Sequence, residues 1–262
     1  MQPSPAEVAR TLATGRLPGA AHVAYRPGPH EVRHATDPVG RVLLLVPVVS
    51  DLAAALRPAP GMPGTALVLD VPDLPPAAGA PALGRVWASG WAEALAGAEA
   101  RRAALDFAEV NPTGDLLDVG RLFRLYRFEP AEIRLERGGE MLDIEPAEYA
   151  AAEPDPLHPV ERELLADLAD HHQPEVARFV LRQLGRSAEP STLDGSAPRI
   201  VRLDRYGLVV DLGRPDARCR ARLAFPRPVR DQADLATLLH PVLCRRRDPA
   251  DRLDPVERLD PA

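Results

Sequence analysis

The sequence predicts an α+β protein: a small barrel of six or seven strands with two inserted helices, then a compact α+β module of two helices, a three-strand meander and a final helix. Three observations carry the prediction. Short β-like runs, each bounded by Gly or Pro, dominate the first 150 residues. Helical patterns there are too few to cover both faces of a parallel sheet, which favours a barrel over a doubly wound fold. The last third reverses the balance, with two helical patterns and His171-His172 preceding three strand patterns and a closing helix.

In chain order, Val8 and Leu12 at i, i+4 after Pro5 predict an opening helix that stops at Gly15. The runs "AAHVAYR", "GRVLLLVPVV", "GTALVLDV" and "GRVWASGW" follow as strands. A helix is expected over 98–110, closed by "NPTGD", and then two strands, "RLFRLYRF" and "AEIRLER", separated by Glu129-Pro130. Gly138-Gly139 reads as a hairpin turn rather than a phosphate cradle. The proline-rich segment 148–159 has little periodicity and reads as a linker, dividing the chain into 1–150, 151–245 and a charged, disordered tail 246–262 in which "RLDP" occurs twice. Beyond the linker, Val160, Leu164, Leu168 and His172 share one i, i+4 row, and Pro174 restarts a helix that ends at Gly185. Strands are expected near 199–203, 208–212 and 219–225, and Asp231 with Asp234 caps a last helix carrying Leu235, Leu238 and Leu239.

Composition excludes several chemistries. The 262 residues contain no lysine, so all 32 strong cations are arginine and a lysine Schiff base is excluded. A net charge of -6 argues against broad affinity for nucleic acid or anionic membranes. Cys219 and Cys244 stand alone, without metal-ligand spacing, and Cys219 alternates with arginines as a strand-core thiol. The longest apolar run, "VLLLVPVV", is too short to span a bilayer, and with no signal peptide the cytoplasm is the expected location. Neither a G-x-S-x-G elbow nor a G-x-G-x-x-G loop is present.

The helix ending in His171-His172, then "LDRYGL" with Asp204 and Gly207, then "FPRPVRDQADLATLL", resembles the C-terminal module of the HugZ-type haem-utilisation family and of the related plant protein that binds glutamyl-tRNA reductase. Ahead of that module the family carries a split β-barrel of the FMN-binding, pyridoxamine-phosphate-oxidase type. "RVLLLVPVVSDLAAAL", with Ser50-Asp51-Leu52 opening a helix, "GTALVLDV", "GRVWASGW" and "RLFRLYRFEPAEIRLERGG" match its barrel strands in order. The resemblance implies haem or tetrapyrrole binding, with haem degradation an open extension that would draw electrons from a reductase partner, and a homodimer with grooves between subunits. The apolar residues on both alternating faces of "RVLLLVPVV" also argue for a dimer, because one small barrel interior cannot bury both.

The departures shape the expectations. Split barrels hold the flavin phosphate with cations on the first ligand strand and the following helix, whereas "SDLAAAL" has none before Arg57 and only Arg41 begins the strand, so FMN is disfavoured. The family's Gly-Phe-Gly segment is replaced by "RGGEML", and no histidine follows His240. These changes favour binding or regulation over turnover. His172 and His240 are the candidate ligands to haem iron, with a structural role favoured for His172, and His22 is a strand histidine of undetermined direction. Arg85, Arg124 and Arg41 are candidates for propionate or phosphate pairing, since guanidinium forks match such anions. Asp51 and Asp204 suit N-cap and turn roles, and with Asp211 they form no evident acid–base pair. A flavin-dependent oxidoreductase and a non-catalytic interaction module are the alternative functions.

Overall fold

The computed structural model describes residues 1–37, 39–183, 198–212 and 220–243. The chain divides into two compact units, Met1–Pro159 and Val160–Ala262.

The first unit opens with α1 (Pro5–Ala13), whose start follows from local chemistry. The Ser4 hydroxyl accepts from the Glu7 amide while the Glu7 carboxylate accepts from the Ser4 amide, and Pro5 occupies the first helical position. Gly15 ends the helix at φ +117, a value that L side chains avoid, and a Cβ there would stand 2.3 Å from the His34 carbonyl oxygen. Seven strands follow: β1 (Gly19–Val23), β2 (His30–Thr36), β3 (Val42–Pro47), β4 (Thr65–Pro72), β5 (Arg85–Ala94), β6 (Phe123–Arg137) and β7 (Glu140–Ile144). They pair antiparallel in the order β3-β2-β1-β4-β5-β6-β7, and β3 also pairs with β6. That pairing closes strands β1–β6 into a six-stranded barrel with β7 added beside β6. The fold is α+β with a split barrel, as the sequence predicts.

Strand β3 shows how the core is built. Val42, Leu44 and Val46 face the barrel interior with Leu67, Leu69 and Phe128, and α1 inserts Val8 and Leu12 into the same cluster. Leu43 and Leu45 point the other way and are covered by Ala100, Ala103 and Phe107 of α3 (Gly97–Val110). The doubly apolar strand is therefore buried on both faces within one chain. Its sequence pattern, taken above as an argument for a dimer, is accounted for by α3.

Four sequence expectations in this unit change. Strand β2 is absent from the sequence expectation, because "HEVRHAT" has two exposed charges, Glu31 and Arg33, and one titratable residue, His34, turned inward. The runs "RLFRLYRF" and "AEIRLER" form one continuous strand, β6, that passes through Pro130, and a register shift at Ser89/Gly90 of β5 absorbs the extra residue. Ser50, not Asp51, caps the short helix α2 (Asp51–Ala55), its hydroxyl accepting from the Ala53 amide at 3.1 Å. The segment read as a linker is packed: it contains α4 (Pro146–Ala151), Tyr149 is buried beneath the Arg10 guanidinium, and Arg10 donates to the Ala152 carbonyl. Gly138 and Gly139, at φ +62 and +85, make the expected hairpin turn between β6 and β7.

The second unit packs α5 (Glu161–His171), α6 (Gln173–Gln183) and α7 (Gln232–Leu243) with an antiparallel sheet of β8 (Arg199–Asp204), β9 (Gly207–Asp211) and β10 (Arg220–Ala224). The Asp204 carboxylate accepts from the Tyr206 amide in the β8–β9 turn, and Asp231 caps α7 by accepting from the Asp234 amide. Asp234 itself is held well below the usual carboxylate range, chiefly by the Arg227 fork. The buried row of α5 is Glu161, Leu165 and Leu168, one position off the row expected from the sequence. Glu161 is buried because it meets Arg202 of β8, and that places Leu164 at the edge of the interface. Cys219, Cys244, the end of α6 at Gly185 and the tail from 244 lie outside the described residues. Among the described residues no helix is long and apolar enough to cross a membrane.

Candidate functional site

Strand β3 leaves the barrel at Pro47, and the Ser50 hydroxyl folds the chain back by donating to the Pro47 carbonyl while it caps α2. Helix α2 ends after one turn and sets Arg57 beside the start of β6, which Val48 meets through a bond from its amide to the Leu122 carbonyl. Arg57 and Arg124 thereby line one cleft of about 300 Å³ with Leu56, Gly64, Ala94 and Tyr126. Val48, Ala94 and Arg124 also border a larger trough of about 840 Å³ under α3, walled by Leu95, Leu105, Leu117 and Phe123 and carrying Arg101. Among the described residues, the Arg57 and Arg124 side chains make no hydrogen bond or ion pair. Two unneutralised guanidinium groups beside an apolar trough are suited to an anionic, amphiphilic ligand.

The three arginines singled out from the sequence are not brought together. Arg41 is tied to Asp37 within its own turn, its Nε donating at 2.8 Å. Arg85 forks onto Asp70, whose side chain is 3% exposed, and that hydrogen bond is the main cause of the raised Arg85 pKa. Only Arg124 of the three lines the cleft. Its companion is Arg57, the first cation after the "SDLAAAL" segment, which folding brings to β6 from a distant point in the sequence.

Arg85 belongs to a second constellation, on the outer face of β1, β4 and β5. Its guanidinium lies 4.3 Å from the Trp87 ring, and Trp87 lies 6.0 Å from the His22 ring. His22 Nε2 is 3.5 Å from Asp70 Oδ2, within ion-pair range but outside hydrogen-bond geometry. Beside His22 runs a groove of about 510 Å³ over Ala66, Val68, Ser89 and Gly90, bounded by Trp91. Sequence reasoning did not single out Asp70 or the tryptophans. The available signal was an acid inside the otherwise apolar run "TALVLDV".

The candidate iron ligands of the sequence, His172 and His240, stand in the second unit. His172 is half-buried as the C-cap of α5, its amide donating to the Leu168 carbonyl, and His240 is exposed in the last turn of α7. Among the described residues neither has an ion pair, whereas His171 pairs with Asp167 at 3.2 Å. His34 is the titratable group that the sequence reading missed: it is fully buried in the barrel unit, and burial pushes its pKa down to about 4.

Among solved structures, a haem-binding protein of Mycobacterium smegmatis superposes with a TM-score of 0.65 at 22% identity, covering 94% of this chain and 98% of that one. The two proteins share one fold. A protein of unknown function from Agrobacterium tumefaciens matches with a TM-score of 0.44 at 16% identity over 93% of this chain and 97% of its own. The ChuZ protein of Campylobacter jejuni matches with a TM-score of 0.39 at 16% identity over 53% of this chain and 58% of its own. No protein-family model matches the chain. No curated protein matches it either. The split barrel thus accounts for the architecture, and the chemistry has to be argued from the side chains.

Proposed function

We propose that this protein binds haem or a closely related tetrapyrrole, in the manner of the haem-utilisation proteins that its sequence resembles. The single observation that carries the proposal is the pair of unneutralised guanidinium groups, Arg57 and Arg124, in one cleft, with Arg124 also bordering an apolar trough. Haem has that same division, two carboxylates on one edge of a flat apolar ring, and the mycobacterial protein of the same fold is a haem binder. The cleft fits the propionates and the ring edge. It offers no imidazole to iron, so the cleft accounts for the anionic edge of the ligand alone. Haem, when bound, supplies the redox-active iron; Arg57 and Arg124 hold its anionic edge.

A second reading has its own observation. The Arg57/Arg124 pair restores the phosphate anchor that "SDLAAAL" lacks, so a flavin with its phosphate in the smaller cleft is the alternative ligand. Titrating the protein with ferric haemin and, separately, with FMN, followed by visible absorbance, decides between them. Each charge-assisted bond is worth about 1.5–3 kcal/mol, so R57A/R124A should weaken the true ligand by roughly two to four decades and leave the other unchanged. Affinity of the variant unchanged from the unsubstituted protein for both ligands overturns the cleft as their site.

We further propose a homodimer. Its support is the exposed apolar set beside the trough, with Val49 at 92%, Leu105 at 70% and Leu117 at 91% exposure. Light scattering at micromolar concentration should give twice the chain mass, and Leu105→Glu with Leu117→Glu should halve it. A monomer in the unsubstituted protein overturns the dimer.

A further inference from the structure

We propose that the ligand is a tetrapyrrole with carboxylates on more than one edge, a tetracarboxylate of the coproporphyrin type rather than a dicarboxylate such as protohaem, and that Arg101 of α3 selects it. This rests on the reading of the protein as a tetrapyrrole binder that uses the Arg57/Arg124 cleft.

The charges that line the cleft and the trough are all of one sign. The chain has 38 acidic residues against 32 arginines, yet the two linings together hold three arginines and no Asp or Glu. Arg57 belongs to the cleft, Arg101 to the trough, and Arg124 with Val48 and Ala94 forms the wall that the two share. The cations are therefore spread along the site instead of gathered in the smaller cleft. Arg101 also stands out on its own helix. Gly97, Ala100, Arg101, Ala104 and Leu105 recur at three- and four-residue spacing and form the stripe of α3 that faces the trough. Every other member of that stripe is glycine, alanine or leucine, so the guanidinium is its one charged group. Among the described residues Arg101 makes no hydrogen bond or ion pair, and the nearby acid Glu99 is committed to Arg127.

Matching charges decides between ligands. A dicarboxylate whose ring fills the trough satisfies Arg57 and Arg124 but covers Arg101 with apolar ring, which desolvates a guanidinium without giving it a partner. A ring that carries carboxylates on a second edge gives this third cation an acceptor, and charge-assisted pairs with arginine are among the strong hydrogen bonds. The trough has the room: its volume of about 840 Å³ lies within the range of about 300–1,000 Å³ that small-molecule sites occupy. Leu116, Leu117 and Phe123 supply apolar contact for the face of the macrocycle.

Metal-free porphyrins test the proposal with iron ligation kept out of the comparison. The full chain is titrated with coproporphyrin III, a tetracarboxylate, and with protoporphyrin IX, a dicarboxylate, and binding is read from porphyrin fluorescence. The unsubstituted protein should bind coproporphyrin more tightly by about tenfold or more, the effect of one charge-assisted bond. R101A should remove that preference by weakening coproporphyrin alone, whereas R57A/R124A should weaken both porphyrins. R102A deletes the same charge from a position outside both linings and should leave the preference intact. Equal affinity of the unsubstituted protein for the two porphyrins overturns the proposal, and so does an equal loss of preference in R101A and R102A; either result, with binding retained, spares the tetrapyrrole-binding reading. Failure to bind either porphyrin overturns both.

Discussion

Glu161→Ala should lower the stability of the C-terminal unit by about 3–5 kcal/mol, the usual consequence of removing one partner from a buried ion pair. The Glu161 and Arg202 side chains are 4% and 5% exposed, and the pair is joined by two hydrogen bonds, from Arg202 Nε at 3.2 Å and Nη2 at 3.0 Å. The Glu161 carboxylate also accepts from the Leu203 amide at 2.9 Å, so its loss also removes the acceptor of a backbone donor of β8. Replacing both partners by apolar residues, as Glu161→Leu with Arg202→Met, removes the buried charge together with its partner and should cost clearly less than the single change. Both tryptophans lie in the barrel unit, so denaturant unfolding of the C-terminal unit is best followed by amide hydrogen exchange in β8 and α5. A single substitution that costs no more than the double one would show that the pair contributes nothing specific.

The barrel unit should lose about 3 kcal/mol of stability between pH 6.5 and pH 4 because of His34, whose pKa is lowered from 6.5 to about 4. Burial is the first cause, and a loose approach to the Val32 backbone offsets it only in part. Neither ring nitrogen has a partner in hydrogen-bond geometry, and the ring is 0% exposed against Gly19, where a Cβ would stand 2.7 Å from Nδ1. The folded barrel therefore holds His34 neutral. Below pH 6.5 the unfolded chain takes up a proton that the folded one refuses, so stability is complete above 6.5 and falls as the pH drops towards 4. Tryptophan fluorescence reports this unit alone, since Trp87 and Trp91 are its only tryptophans. His34→Leu keeps the site filled and should flatten the pH dependence between 6.5 and 5, above the range where ordinary carboxylates titrate. An equally steep loss in His34→Leu would assign it to other groups.

Both effects arise at residues whose importance was hidden in the sequence. Glu161 reads as an ordinary first-turn acid, and the row built on Val160, Leu164 and Leu168 passes it by, because a buried charge looks polar until its partner is known. Arg202, forty-one residues on, is what turns that face inward. His34 lies in "HEVRHAT", where the charged outward residues obscure a strand, and its burial depends on β1, β3 and the exit of α1. The candidate cleft shows the same limit. Arg124 could be named from the sequence and Arg57 noted as the first cation after α2, but their convergence required the closure of β3 onto β6.

What the sequence determined by itself are the features set by neighbours along the chain: the α+β class, the capping box of α1, the glycine hairpin at 138–139, the Asp231 cap of α7 and the absence of lysine chemistry. Hydrogen bonds and φ preferences within a few residues act in any tertiary setting, so they can be read before the fold is known. Only the tertiary structure decided which charges are spent and which remain available. Arg41 and Arg85 are neutralised by Asp37 and Asp70, Arg57 and Arg124 are left to face a cleft, and the second face of β3 is covered by α3 rather than by another chain. Charge pairing and apolar coverage act between segments far apart in the sequence, and the physical outcome exists only once those segments meet.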